Sequence, residues 1–281
     1  MITDATIQLI RLALAEDIGT GDRTTLATIP EQALARGQVI AKEELVVAGA
    51  VYAALVFAEV DPSLEVQCLV PDGTRVNAGD VVMRVAGSAR ALLSAERTAL
   101  NLLQRLSGVA TLTRRFVDVI AHTEARITDT RKTTPGMRVM QKEAVLAGGG
   151  SNHRFGLDSG ILIKDNHIAA CGSIEAALSR ARDMSPHSLR LEVEVRDLDE
   201  FERALAAGAD IIMLDNMSTE DMAEAVKRAG QSARKVLLEA SGNLSLERVA
   251  EVAETGVDLL SVGALTHSAA SADLSLLFDG T

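Results

Sequence analysis

From Ile127 onward the chain carries six short apolar runs, each ending in polar or small residues. They are Ile127-Thr128-Asp129, Ile161-Leu162-Ile163-Lys164, Leu191-Glu192-Val193-Glu194-Val195, Ile211-Ile212-Met213-Leu214-Asp215-Asn216, Val236-Leu237-Leu238-Glu239-Ala240-Ser241 and Leu259-Leu260-Ser261-Val262-Gly263. Amphipathic helical stretches over residues 199–207, 219–229 and 246–255 separate the later ones, and from Leu191 on strand starts recur about every twenty-odd residues, the rhythm of βα units feeding a parallel sheet. An open doubly wound sheet concentrates chemistry at one switch point, whereas a barrel spreads it over the carboxyl ends of many strands. Asp129, Lys164, Glu194, Asp215, Ser241 and Gly263 all fall at or just inside strand ends, which favours a barrel. Six visible strands are too few for a complete eight-stranded one, so an incomplete α/β barrel of six or seven strands is expected.

The N-terminal part has a different texture. A helix over residues 1–16 leads into a turn-rich loop over 16–25, then strand-like runs over 37–47, 64–70 and 81–85, with a helical, Ala-rich stretch over 49–60. Pro71-Asp72-Gly73 and Asn77-Ala78-Gly79-Asp80 supply turns for antiparallel pairing. From 91 to 120, Leu92, Leu93, Ala95, Ala99, Leu100, Leu103, Leu106 and Val109 recur at the spacing of a buried helical stripe.

Composition removes several classes of function. A net charge of -11, five Phe, one Tyr and no Trp leave neither a basic stripe nor stacking platforms, so nucleic acid is not expected as a partner. No stretch approaches the roughly 18 uninterrupted apolar residues of a membrane span. The opening residues lack a basic start followed by an apolar run, and Cys68 and Cys171 are isolated, so a cytoplasmic protein with reduced thiols is expected.

Against that acidic background, Arg131, Lys132, Arg138, Lys142, His153, Arg154, Lys164 and His167 gather between residues 128 and 167, partly among glycines. Cations beside an open backbone make a pocket for a multiply anionic small molecule. Arg131 and Lys132 offer a planar fork and a movable point charge on a loop leaving a strand. Gly148-Gly149-Gly150 permits the close wrapping an anion needs. Lys164, ending an apolar strand, requires either an anionic ligand or a salt bridge, with Asp165 as the nearest candidate. Glu192 and Glu194 share one strand face, and with Asp215 and Asn216 they could meet ribose hydroxyls, hydrated magnesium or the cations above. The small residues at 240–243 and 261–264 expose backbone N–H groups of the kind that cradle phosphate.

These segments resemble, in order and spacing, the quinolinate phosphoribosyltransferase family. The match rests on Asp129-Thr130-Arg131-Lys132-Thr133, Gly148-Gly149-Gly150-Ser151-Asn152-His153-Arg154, Leu162-Ile163-Lys164-Asp165-Asn166-His167, Glu192-Val193-Glu194-Val195 and Met213-Leu214-Asp215-Asn216. Leu238-Glu239-Ala240-Ser241-Gly242 and Ser261-Val262-Gly263-Ala264-Leu265-Thr266-His267-Ser268 complete it. Glu16-Asp17, Gly21-Asp22 and Glu96-Arg97-Thr98-Ala99-Leu100-Asn101 extend the resemblance over nearly the whole chain.

The resemblance implies an incomplete α/β barrel with an N-terminal α/β sandwich domain: residues 1–108 and the tail 268–281 in the sandwich, 109–267 in the barrel. It implies transfer of phosphoribosyl from phosphoribosyl pyrophosphate to quinolinate with decarboxylation, giving nicotinate mononucleotide, pyrophosphate and CO2, with Mg2+. Arg131, His153, Arg154 and Lys164, with Thr130 beside them and Arg97 from a neighbouring subunit, would hold the pyridine dicarboxylate. Lys132 would meet the phosphorylated sugar or its pyrophosphate, and Glu194 and Asp215 the ribose and metal. Ser241, Gly242, Asn243, Gly263, Ala264 and His267 would cradle the 5′-phosphate. A homodimer with shared active sites is implied, which could assemble further into a hexamer. Asn243 stands where the family usually has glycine, which bears on the phosphate loop. Three other readings stay open on sequence: a molybdenum-transport-associated relative of the same fold, an aldolase-like barrel with Lys164 as Schiff-base lysine, and a non-catalytic anion-binding protein.

Overall fold

The computed structural model describes residues 2–280, which form two compact units. One runs to Arg114 and takes in Thr133–Gly149 and the chain from Leu265 on; the other comprises Arg115–Lys132 and Gly150–Ala264. The units follow chain order less simply than the expected blocks 1–108, 109–267 and 268–281. The segment 133–149 joins the first unit because its helix is tied there, with the Tyr52 hydroxyl donating to the Glu143 carboxylate.

In the first unit the helices are α1 (Asp4–Ile18), α2 (Arg23–Thr28), α3 (Ala50–Val60), α4 (Ala89–Val119, whose last turn passes into the second unit) and α5 (Arg138–Ala147). The strands are β1 (Leu34–Ala41), β2 (Leu45–Val46), β3 (Glu65–Cys68), β4 (Arg75–Val76) and β5 (Val81–Ser88), joined by a C-terminal strand described below. Two local expectations fail. The run over 37–47 is two strands, because the exposed charged residues Lys42, Glu43 and Glu44 interrupt it, and β2 pairs with β4 in a separate ribbon. The loop over 16–25 gives way to α2, whose N-terminus Asp22 caps by accepting the Thr25 N–H at 3.0 Å. On α4, Leu92, Ala95, Ala99, Leu103, Leu106 and Val109 are buried, as their spacing predicts. Gly108 on the same helix packs so closely that a Cβ there would lie 1.9 Å from the Ala270 carbonyl oxygen, so only glycine fits.

In the second unit the strands β6 (Arg126–Thr128), β7 (Ile161–Ile163), β8 (Leu191–Val195), β9 (Ile211–Asp215), β10 (Leu237–Ser241) and β11 (Leu259–Ser261) match the six apolar runs. Helices α6 (Asp165–Cys171), α7 (Ile174–Met184), α8 (Leu198–Ala206), α9 (Thr219–Gln231) and α10 (Val249–Glu254) alternate with them, and α11 (Ala264–His267) follows β11 across the unit boundary. Ser173, Asp197 and Ser218 cap α7, α8 and α9 by accepting backbone N–H groups, so each chain reversal is fixed by one short polar side chain. The last strand, β12 (Leu274–Phe278), pairs antiparallel with β1 in the sheet β12-β1-β5-β3 of the first unit.

Among the described residues the parallel sheet has six strands in the order β6-β11-β10-β9-β8-β7. That order is cyclic in sequence, with the first strand beside the last, as in a barrel. Among the described residues β6 and β7, the two ends of that order, are not paired with each other, and β6 makes on that side an isolated parallel bridge from Thr128 to Ser151 in the loop before β7, so the barrel is incomplete. Strand alternation and register then set the interior. One row across neighbouring strands reads Glu194, Met213, Glu239, Leu259, and the next toward the carboxyl ends reads Asp215, Ser241, Ser261, Thr128.

Candidate active site

At the carboxyl ends of the barrel strands lies a cavity of about 650 Å³. Its walls are Thr130, Arg131 and Lys132 after β6, His153 and Arg154 from the glycine-led loop, and Leu162 and Lys164 at β7. Glu194, Met213, Asp215 and Asn216 continue the ring through β8 and β9, and Glu239, Ser241, Gly242, Asn243 and Ser261 close it. Four cations thus share one mouth with carboxylates, where their fields reinforce one another on any anion that displaces water.

Each side chain is placed by local chemistry. Asp129 is fully buried at the end of β6 and accepts the His153 N–H at 2.8 Å, while Ser151 N–H donates to the Ile127 carbonyl at 2.8 Å. The loop after the glycines is therefore stitched to β6, which carries His153 and Arg154 to the mouth. Arg154 donates through Nη1 to the Gly160 carbonyl at 2.9 Å, and its basicity is lowered by burial and then by the nearby Arg131 charge. Lys132 N–H donates to Thr130 Oγ1 at 3.0 Å, tightening the turn after β6. Lys164 does not pair with Asp165, the nearest candidate on sequence: its Nζ lies 2.7 Å from Glu194 Oε2 across the pocket. The next strand, not the next residue, supplies the counter-charge, because β7 and β8 are hydrogen-bonded neighbours.

The loop after β10 accommodates its departure from the family pattern. Asn243 adopts a left-handed φ of 50° and its Nδ2 donates to Asn216 Oδ1 at 3.2 Å. Asn tolerates that backbone better than most residues. At Gly242, with φ of 95°, a Cβ would fall 2.2 Å from the same Asn216 oxygen, so no larger residue fits. Asn216 Nδ2 in turn donates to Asp215 Oδ2 at 2.9 Å, which orients that carboxylate at its strand end.

Other sequence candidates fall elsewhere. Arg97 is exposed on α4 in the first unit. Gly263 and Ala264 follow β11 without lining the cavity, and His267, at the end of α11, belongs to the first unit with Nδ1 2.6 Å from the Ser268 hydroxyl. Arg138 and Lys142 lie on α5, Lys142 buried, and His167 lies on α6, where Nδ1 accepts the Lys164 N–H at 3.0 Å. Conversely, Glu239 and Met213 line the pocket without having been singled out as site residues, while Asn216 and Ser261, noted on sequence at their strand ends, line it as well. For Glu239 the signal was present: an acid inside an otherwise apolar strand, two residues from Ser241 on the same face.

Glu239 is 1% exposed, and burial, followed by the neighbouring Glu192 charge, pushes its carboxyl up to about 7. A folded-state value above the ordinary carboxylate range means that the folded chain binds this proton more tightly than the unfolded chain. The associated stability is complete below the ordinary range and is lost as pH rises through about 7. Relative to Glu239→Gln, which cannot titrate, the native chain will lose stability as pH rises through about 7, read as a native thermal midpoint that falls against the variant's. Parallel midpoints across that rise would contradict the assignment.

Both halves of the chain match known domain families. Residues 22–107 match the N-terminal domain, and residues 109–277 the C-terminal domain, of quinolinate phosphoribosyl transferase. The chain is 47% identical over 276 residues to the nicotinate-nucleotide pyrophosphorylase [carboxylating] of Mycobacterium leprae, covering 97% of each protein. It is 42% identical over 288 residues to the mitochondrial quinolinate phosphoribosyltransferase [decarboxylating] 2 of Nicotiana glauca, covering 97% of this chain and 82% of that one. The solved nicotinate-nucleotide pyrophosphorylase of Francisella tularensis superposes with a TM-score of 0.93 at 41% identity, over 99% of this chain and 98% of that one.

Proposed function

Because the chain belongs to the quinolinate phosphoribosyltransferase family in both of its domains, we propose that the barrel mouth is where it joins quinolinate to phosphoribosyl pyrophosphate. The enzyme transfers the phosphoribosyl group with decarboxylation and yields nicotinate mononucleotide, pyrophosphate and CO2 for NAD biosynthesis. The observation that carries the site assignment is the convergence of Arg131, Lys132, Arg154 and Lys164 with Glu194 and Asp215 around one cavity.

In this reading Arg131, Arg154 and Lys164, beside Thr130, hold the two adjacent carboxylates of quinolinate, and Lys132 faces the pyrophosphate. Each charge-assisted contact contributes roughly 1.5–3 kcal/mol, enough together to strip water from a dianion. The ring nitrogen then attacks C1′ as the C1′–oxygen bond to pyrophosphate breaks, and Glu194 and Asp215 stabilise the oxocarbenium-like charge between them. The ribosylated ring nitrogen is cationic, so when the C2–carboxylate bond breaks its electron pair stays at C2 and takes up a proton. The protein's work is orientation and charge placement.

Glu194 and Asp215 also fit Mg2+: both are carboxylates at the ends of adjacent strands on one cavity wall, the hard oxygen donors that ion prefers. When bound, Mg2+ supplies charge neutralisation on the departing pyrophosphate. Ser241, Gly242 and Asn243 form the cradle for the 5′-phosphate. Among the described residues no helix is long and apolar enough to cross a membrane. The free thiols of Cys68 and Cys171 lead us to place the enzyme in the cytoplasm.

Calorimetric titration tests the carboxylate reading. Quinolinate and phthalate, which share two adjacent carboxylates, will bind comparably, and nicotinate, with one, at least roughly tenfold more weakly. Equal affinity for nicotinate would remove the dicarboxylate reading. The site is further read as shared between two copies, with the exposed Arg97 of a second copy meeting the substrate. Arg97→Ala and Lys132→Ala will each lack activity, and mixing them will restore about a quarter of it, because only hybrid dimers carry one intact site. No recovery after confirmed subunit exchange would rule out sharing.

A further inference from the structure

At the bottom of the cavity, where it meets the barrel interior, His153, Glu192 and Glu239 form a cluster that the chemistry above does not use. The His153 Nε2 lies 3.2 Å from Glu192 Oε2 and 3.5 Å from Glu239 Oε1, and both acids are almost wholly buried. Glu239 Oε1 has no hydrogen-bond partner, since the 3.5 Å approach lacks hydrogen-bond geometry. All three donor atoms lie within 4.8 Å of one another, a spacing that would suit a metal ion.

The hydrogen bonds point away from a metal. Arg154 N–H donates to His153 Nδ1 at 2.7 Å, so Nδ1 is an acceptor and a neutral ring carries its proton on Nε2. An Nε2 that bears a proton has no lone pair for a metal; its hydrogen goes to the Glu192 carboxylate, 3.4 Å from Oε1 and 3.2 Å from Oε2. Both ring nitrogens are then engaged by the protein, one by the Arg154 backbone and one by Glu192. His153 also donates its own N–H to Asp129, so its backbone and ring are all fixed from the barrel.

We propose that Glu192 is a positioning residue for Arg154: its carboxylate clamps the His153 ring through Nε2–H, with Glu239 packed beside the same nitrogen, and the ring holds the Arg154 backbone so that its guanidinium faces the mouth. On this reading His153 serves the substrate by aiming its neighbour, not by donating to a carboxylate itself. A second cavity, of about 450 Å³, opens at the amino ends of the strands and shares His153, Arg154 and Glu239 with the upper one. The clamp is the layer between the two. Burial and the adjacent Glu192 charge favour the protonated form of Glu239, which limits repulsion within the pair.

The inference rests on the reading of the upper cavity as the quinolinate site, and two variants with one spectroscopic measurement test it. Glu192→Gln keeps an oxygen that can accept Nε2–H, whereas Glu192→Ala keeps nothing. The glutamine variant will hold the quinolinate KM within about threefold of the native value. The alanine variant will raise it at least roughly tenfold, and in both the KM for phosphoribosyl pyrophosphate will stay within about twofold. In 15N-labelled protein the His153 ring will show the Nε2–H tautomer near neutral pH, retained in the glutamine variant and lost in the alanine variant. A folded Glu192→Ala with native quinolinate KM, a glutamine variant as impaired as alanine, or a native His153 protonated on Nδ1 would each overturn the proposal. The native spectrum decides the matter even where the alanine variant does not fold. A native chain that fails to turn over quinolinate would sink the functional reading instead, and the nitrogen spectra would still judge the clamp.

Discussion

Arg131→Ala will lower kcat/KM for quinolinate by at least roughly a hundredfold, about 2.7 kcal/mol, with most of the loss in the quinolinate KM. Arg131 stands on the turn after β6, beside Arg154 and facing the cavity. Removing it takes away a planar donor pair from a dianion that has already given up its hydration, and no side chain of comparable reach replaces it. The same change relieves repulsion with Arg154, so the fold will not suffer, and the thermal midpoint will hold or rise slightly. Arg131→Lys will recover only part of the loss, since an ammonium cannot reproduce the fork. Steady-state kinetics with each substrate varied in turn check this; a native quinolinate KM in Arg131→Ala contradicts the pocket as drawn.

Asp215→Asn will act on a different term. The carboxylate ends β9, and Asn216 holds it in place from within the same turn. An amide there preserves shape and loses the negative charge, so substrate affinity will change by less than about threefold while kcat falls at least roughly a hundredfold. The Mg2+ concentration needed for half-maximal rate will rise in parallel, because the proposed site makes Asp215 one of two hard oxygen ligands. Pre-steady-state measurement of pyrophosphate release locates the loss in ribosyl transfer. Unchanged kcat and unchanged Mg2+ dependence would show that Asp215 meets neither the ribose nor the ion.

The contrast between these two residues shows what could be read from sequence. Arg131 and Asp215 both sit where an apolar run ends, and strand alternation alone puts such residues at the mouth of a parallel barrel. The six runs became six strands for the same reason, since both faces of a parallel sheet are covered and its strands read as nearly unbroken apolar stretches. What escaped was decided by distant chain segments. Lys164 pairs with Glu194 thirty positions away, which only the β7–β8 neighbourhood brings about. Glu239 looks like a misplaced surface acid until His153, from a loop far upstream, is set beside it. The strand break at residues 42–44 and the helix α2 turned on three charged residues and one capping Asp, signals too short to outweigh the surrounding pattern. Arg138 and Lys142 shared the sequence cluster of cations, yet a helical segment carried them into the other unit.

The most direct test of the whole account is a turnover measurement with quinolinate labelled in its 2-carboxyl group, phosphoribosyl pyrophosphate and Mg2+. Labelled CO2, pyrophosphate and nicotinate mononucleotide will appear in equal amounts, and omission of either substrate will stop all three. Pyrophosphate formed without CO2, or nicotinate accepted in place of quinolinate at a comparable rate, would show that the converging cations serve a different acid.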